Sequence, residues 1–474
     1  MNGETAYLFR HALLRDAAYQ LQMPGDRARL HALALSLIEQ LFGGRPAEPP
    51  PLDLVDAAPL EPHPIDACAD EMAEHARLAA AIPNAARDAL TQLRAHYLRR
   101  AAEAAERSYR NEAALAAWTE LAGMIEGSKR GEALRRLAEI LRLSGKSHQA
   151  EHVFEEALNT QRAARNRALE VIALSNLANV RRELGHMEEA LILFSDALAM
   201  ARDRGLKKQE GAVLSLLGNV YQETGQLDQA ELAYKQALAL HVELGLARPQ
   251  ATNLGNLANI YREQGRLDES EQAYIQATKI CHECGDKRLL GVAYGNWAIV
   301  QNQTGRKQQA LEAMEKALAF HREVGNRRSY GVALNNLAGF HRDSGRMAKA
   351  KETFEQALAI SQEVGDRRGA GIALGNLAGV LRDSGEVEQA VTAYERALAS
   401  HRAVGDVRSH AVHGCGLALT RLVLGDDLRA RTDWREAFTR VRGLEDPGEV
   451  ESQRNEMLRM CAQIGVRPIE EPAP

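Results

Sequence analysis

Apolar residues recur along this chain at helical spacing. Leu374, Leu377, Ala378 and Leu381 fall at i, i+3, i+4 and i+7, and Val387, Ala390, Tyr394, Ala397 and Leu398 continue the pattern beyond Gly385. Each stripe is narrow and made of small residues, so each helix needs a neighbour to cover it. The breaks between stripes are regular. Gly145, Gly185, Gly225, Gly265, Gly305, Gly345, Gly385 and Gly425 stand forty residues apart, and Gly205, Gly245, Gly285, Gly325, Gly365 and Gly405 lie midway between them. A helix commonly ends on a left-handed residue, which glycine adopts without steric cost. Asp286, Asn326, Asp366 and Asp406 follow glycines of the second set, where a side-chain oxygen caps the next helix. The unit is therefore a pair of helices with two turns, repeated eight times.

Other columns share the period. Leu137, Leu177, Leu217, Leu257, Trp297, Leu337, Leu377 and Leu417 form one, each followed by Ala or Gly, as at Ala178, Gly218 and Ala258. Phe154, Phe194, Tyr234, Tyr274, Met314, Phe354, Tyr394 and Trp434 form a large-residue column, and three residues later comes an unbroken alanine column from Ala157 to Ala437. This alternation of large and small residues resembles the tetratricopeptide repeat. The usual unit is about 34 residues, and the longer one here, with its "LGNLA" helix starts, resembles the kinesin-light-chain subclass. The resemblance implies an all-α fold: a right-handed superhelical solenoid of helical hairpins that share one interior.

The domain reading follows. Residues 1–42 form a helical piece, 43–64 a linker, 65–127 a helical region with a degenerate first repeat, 128–447 eight repeats, and 448–474 a capping helix and tail. The linker holds seven of the fourteen prolines, which excludes helix. The cap rests on Val450, Met457, Leu458, Cys461 and Ile464, apolar on one side of a charged segment. At the start, "FRHALLRDAAY" from Phe9 to Tyr19 and the stretch from Arg27 to Leu41 resemble the end of the ATPase module of bacterial signalling regulators. The chain carries no G-x-x-x-x-G-K-[ST] loop, so it has no phosphate cradle of that kind.

Composition narrows the partners. A formal net charge of -5 and a pI near 6.3 supply no positive field for nucleic acid. No apolar run approaches the roughly 20 residues of a membrane span. Five scattered cysteines without a paired framework, and no apolar leader, place the chain in the cytoplasm as an expectation.

In a tetratricopeptide stack the first helix of each unit lines the concave groove, and its polar columns are the candidate site. Asn176, Asn256, Asn296, Asn336 and Asn376 form one column, and Asn179, Asn219 and Asn259 another. Asparagine is a poor helix former, so its repetition needs a reason. In proteins this resembles, such an asparagine bonds the main chain of an extended peptide, using both donor and acceptor. It also suits a tie between repeats. Arg182, Arg262, Arg342 and Arg382 lie a turn further on, beside Glu183, Glu223, Glu263, Asp343 and Asp383. They suit an acidic or carboxyl-terminal peptide, or a solvated mixed-charge face.

Other chemistry reads as packing. Cys281 and Cys284 lack the second pair of a zinc site, and Cys284, in the column of Leu244 and Val324, is expected in the core. His241, His321 and His401 are expected at the surface, and Trp297 and Trp434 in the core. No catalytic constellation, metal site or cofactor motif stands out. The expected function is a protein-protein interaction scaffold holding a protein or peptide, not an enzyme. The alternative is the sensor or regulatory arm of a signalling ATPase, adenylate cyclase or transcriptional regulator.

Overall fold

In the computed structural model the described residues are 19, 21–55, 60–81, 86–108, 110–444 and 446–471. "FRHALLRDAAY" lies outside them except for Tyr19. The chain divides into two units, Met1–Leu240 and His241–Pro474. In unit 1 the helices are α1 (Pro24–Leu41), α2 (Ala69–Ala79), α3 (Arg87–Arg107), α4 (Asn111–Ala122), α5 (Gly127–Leu143), α6 (Ser147–Ala164), α7 (Arg167–Glu183), α8 (Met187–Asp203) and α9 (Lys207–Glu223), with most of α10 (Leu227–Glu243). Unit 2 holds α11 (Ala247–Glu263), α12 (Leu267–Glu283), α13 (Lys287–Gln303), α14 (Lys307–Glu323), α15 (Arg327–Asp343), α16 (Met347–Glu363), α17 (Arg367–Asp383), α18 (Val387–Ala403), α19 (Val407–Val423), α20 (Asp427–Arg442) and α21 (Pro447–Ile464). A short 3-10 turn covers Pro64–Cys68, and there is no strand among the described residues.

The turns form where the glycines fall. Both glycine columns have positive φ, for example +73° at Gly225 and +68° at Gly365. Where the second column lacks glycine, Arg165 takes the left-handed conformation itself, at φ 57°. The caps form as well. Asp286, Asn326, Asp366 and Asp406 accept from the backbone N–H three residues on, at 3.0, 3.2, 3.0 and 3.1 Å. The cap carboxylates are also tied to the preceding repeat, since Arg248, Arg328 and Arg368 reach Asp286, Asp366 and Asp406 at 2.5, 3.0 and 2.9 Å.

Consecutive helices pack on one another from α1 to α9 in unit 1 and from α11 to α21 in unit 2, and the first helices of successive hairpins also touch, α5 on α7 on α9 in unit 1 and α11, α13, α15, α17 and α19 in unit 2. No hairpin encloses its own interior. In unit 1 one cluster joins Phe154, Leu177, Phe194 and Leu217 from successive repeats, and in unit 2 another joins Phe354, Leu377, Tyr394 and Leu417. The alanine column is buried throughout, so helices approach closely there. The fold is an all-α solenoid of tetratricopeptide-type hairpins.

Four expectations about packing need correction. His241, His321 and His401 are buried, 2%, 4% and 0% exposed, and the rings of His321 and His401 fill space left open by a first-helix glycine thirty residues earlier. A Cβ on Gly291 or Gly371 would stand 2.6 or 2.9 Å from the His321 or His401 ring. Cys284 is exposed because it is the last residue before the αL glycine, where the helix has turned its face to solvent, and Leu244, Val324, Val364 and Val404 are exposed with it. Leu458 is also exposed, while Met457 and Cys461 carry the inner face of α21. Trp434 is fully buried, whereas Trp297 is half-buried, its indole N–H donating to Glu271 at 3.2 Å.

Candidate functional site

The first helices form a continuous wall in each unit, and the asparagine and arginine columns lie along it. All eight asparagines are half-buried, but the two columns do different things. In the second, the Tyr234 hydroxyl donates to Asn219 at 2.7 Å and that of Tyr274 donates to Asn259 at 2.5 Å. These amides tie the two helices of one hairpin together. Asn179 faces Phe194, which has no hydroxyl, and accepts instead from Arg182 at 2.9 and 3.2 Å. In the first column Asn376 donates to Asn335 of the preceding first helix at 3.2 Å, and Asn296 bonds the Tyr274 hydroxyl. Asn256 also has a partner. Among the described residues Asn176 and Asn336 make no side-chain hydrogen bond, so their amides are open to a ligand.

Sequence reasoning missed the column one turn before these asparagines: Ile172, Ala212, Thr252, Val292, Val332, Ile372 and Val412. It lies on the same wall and is mostly aliphatic, and Val292 and Val332 are 42% and 52% exposed. The signal was present in the sequence. A β-branched apolar residue recurs at a position next to the core stripe but outside it, where a helix would ordinarily carry a polar residue.

The arginines divide in the same way. Arg182 pairs with Glu223 of the next repeat, as Arg142 does with Glu183 at 2.6 Å. Arg382 is buried and binds Asp383 at 2.8 Å and Glu456 of α21 at 2.6 Å. Burial raises the Glu456 pKa, but hydrogen bonds and charge from Arg459 and Arg382 outweigh it and hold the carboxyl below its usual range. Arg262 is half-buried, and its charge acts on the Tyr274 phenol. Arg342 is the open member, 40% exposed and only 3.5 Å from Asp343. A cavity of about 710 Å³ in unit 2 brings Arg342, Asn376, Arg382, Tyr394, His413 and Glu456 together. Asn336 and Val332 are not in its lining; they lie on α15 beside it.

Burial pushes the Cys281 thiol up to about 11, far from the range of a reactive thiolate. Among the described residues no group of three His, Cys, Asp or Glu side chains is placed to hold a metal ion, and no helix is long and apolar enough to cross a membrane.

A ribbed wall of helices with an aliphatic and an amide column defines a helical-repeat protein of the scaffold and sensor class. The chain belongs to the tetratricopeptide repeat family, whose repeat matches residues 129–203, 170–241, 249–323 and 329–403, with a further tetratricopeptide match over 215–281. No curated protein matches the sequence. Among solved structures it is similar to a signal transduction ATPase with numerous domains and a tetratricopeptide repeat sensor from Pyrococcus horikoshii, at 15% identity and a TM-score of 0.54 over 90% of this chain. This chain covers 64% of that one. It is also similar to BtubC (BKLC) from P. vanneervenii, at 21% identity and a TM-score of 0.40, over 47% of this chain and 90% of the other. A third is a Rap protein complexed with competence and sporulation factor, at 17% identity and a TM-score of 0.48, over 71% and 99%.

Proposed function

We propose that the chain is a non-catalytic scaffold that holds a peptide or protein segment against the first-helix wall of unit 2. The observation that carries this reading is the pairing, on α15, of an exposed aliphatic side chain, Val332, with an unengaged amide, Asn336, one turn apart. An exposed valine offers apolar contact to a ligand side chain, and an amide offers a donor and an acceptor to a peptide main chain. Val292 and Ile372 extend the apolar column to the neighbouring repeats. Arg342 supplies a positive charge at one end, which favours an acidic residue or carboxyl terminus in the ligand. The ligand is neither nucleic acid nor membrane, and the compartment is the cytoplasm. Selection of peptides from a random displayed library against the full chain tests this. Selected peptides should bind Val332→Asp and Asn336→Ala variants at least about tenfold more weakly, a loss of about 1.4 kcal/mol. Unchanged affinity in both variants refutes the groove assignment.

A second reading, the sensor or regulatory arm of a signalling ATPase, adenylate cyclase or transcriptional regulator, draws support from the likeness to the Pyrococcus protein over most of this chain. Its expected signature is an in-frame phosphate-binding loop in the coding sequence upstream.

A further inference from the structure

The proline-rich segment reads in the sequence as a linker, and among its described residues the structure shows several anchors. Arg45 pairs with Glu39 at 2.7 Å, Arg99 donates to the Pro50 carbonyl, and Arg100 donates to the Glu61 carbonyl at 2.9 Å. Between these anchors the chain turns, with the Leu54 N–H on the Pro51 carbonyl at 3.2 Å. Leu52 packs against the apolar cluster that includes Tyr97 and Trp118. Asn166, the cap of α7, reaches the Asp53 carbonyl at 3.4 Å. Val55 then lies over the first-helix wall of unit 1, where it shares a cavity of about 220 Å³ with Ile172, Asn176, Ala212 and Leu216. These are the positions that in unit 2 are occupied by Val332, Asn336, Ile372 and Asn376, four repeats along.

We propose that Val55, held in place by the anchored turn that begins at Pro50, is a built-in occupant of the α7/α9 wall, and that this wall accepts in its place a peptide of the same chemistry from another protein. That peptide carries a proline-led turn that ends in an aliphatic residue, as Val55 is here. The proposal rests on the reading of the first-helix wall as a peptide site. It adds the location in unit 1, the ligand's chemistry and the competitor.

Three features of the segment fit this role. The run Pro49, Pro50 and Pro51 that leads into it cannot join a helix and has little conformational freedom to lose on docking. Val55 meets the wall at the aliphatic column and beside the amide column, which together are the two elements left open in unit 2. The hold is modest, because Val55 remains half-buried and the Asp53 contact is long, so an incoming peptide has only a weak internal competitor to displace.

The test is fluorescence polarisation of a labelled synthetic peptide of residues 47–57 with the full chain. The internal occupant lowers the apparent affinity of the wild type. Val55→Ser is expected to tighten binding about tenfold, as the loss of part of a valine's burial implies. Ala212→Arg, a change at an exposed helical position, should abolish binding in the Val55→Ser background. By itself it should speed proteolytic cleavage near Leu54 by expelling the segment, a readout that does not require Val55→Ser to fold. Binding that is no tighter in Val55→Ser, or unaffected by Ala212→Arg, overturns the proposal, as does absence of binding in every variant. Loss on Asn336→Ala but not on Ala212→Arg also overturns it, and leaves the unit 2 reading standing.

Discussion

The buried histidines show how a repeat accommodates an odd residue. Gly211, Gly291 and Gly371 precede His241, His321 and His401 by thirty residues, while Ala251 and Ala411 precede the smaller Cys281 and Val441. Space on one helix matches volume on the next. A second column supplies polar partners: Asn253 donates to His241 at 2.9 Å, and His413 lies 2.9 Å from His401, with one ring donating and the other accepting. Burial, then the neighbouring His401, pushes His413 down to about 3, and His401 is lowered as well by burial, opposed by Asp406 and reinforced by His410 and Arg368. Neutral rings are thus favoured in the folded state, whereas the unfolded chain takes up protons below about pH 6.5. Stability contributed by the pair is full above that value and is lost as pH falls from about 6.5 toward 3. A melting profile of the full chain should decline across this window. His413→Ala, which restores the residue of Ala293, Ala333 and Ala373, should flatten it.

At the scale of the element, the caps do more than start helices. Asp406 accepts from the Ser409 N–H and also receives Arg368 from the preceding repeat. Burial alone raises its pKa, but the Ser409 hydrogen bonds and Arg368 outweigh this and hold the carboxyl below its usual range. Asp406→Ala should cost about 1–2 kcal/mol in denaturant unfolding, the range for a lost cap. Asp406→Asn keeps the cap and loses only a pair with a largely exposed guanidinium, so its cost should stay under about 1 kcal/mol. Equal losses in the two variants would reverse this ranking. The caps, glycine turns and helix boundaries were legible in the sequence because each depends on a few neighbouring residues. The burial of the histidines was not, since it depends on a glycine in another helix. The aliphatic column was overlooked for a different reason: spacing alone does not separate a residue at the edge of the core stripe from one inside it.

For the molecule as a whole, a shared interior makes the last helix a structural necessity. Met457, Met460 and Cys461 of α21, with Ile469 beyond it, join Trp434 and Phe438 in one buried cluster. Removal of residues 447–474 uncovers that cluster. The expected results are a lower melting midpoint by calorimetry and concentration-dependent association by sedimentation, because exposed apolar patches of this kind drive self-association. A truncated chain that melts as the full one does, and stays monomeric, would show that α21 adds nothing to the stack. Glu456 belongs to the same helix and reaches Arg382, so α21 also decides which arginine of the column is free to meet a ligand.

By itself the sequence determined the period, the helices, the turns and the family, since those follow from local preferences repeated many times over. Tertiary structure alone decided which polar residues of the wall are engaged. Asn219 and Asn259 serve tyrosines fifteen residues on, Arg182 and Arg382 hold the chain's own carboxylates, and Asn336 and Arg342 remain accessible. It also brought Arg99, Arg100 and Asn166 onto carbonyls of the proline-rich segment, at Pro50, Glu61 and Asp53. The physical reason is that a helix forms from its own residues, whereas the state of a side chain on its surface depends on what a distant part of the chain brings to it.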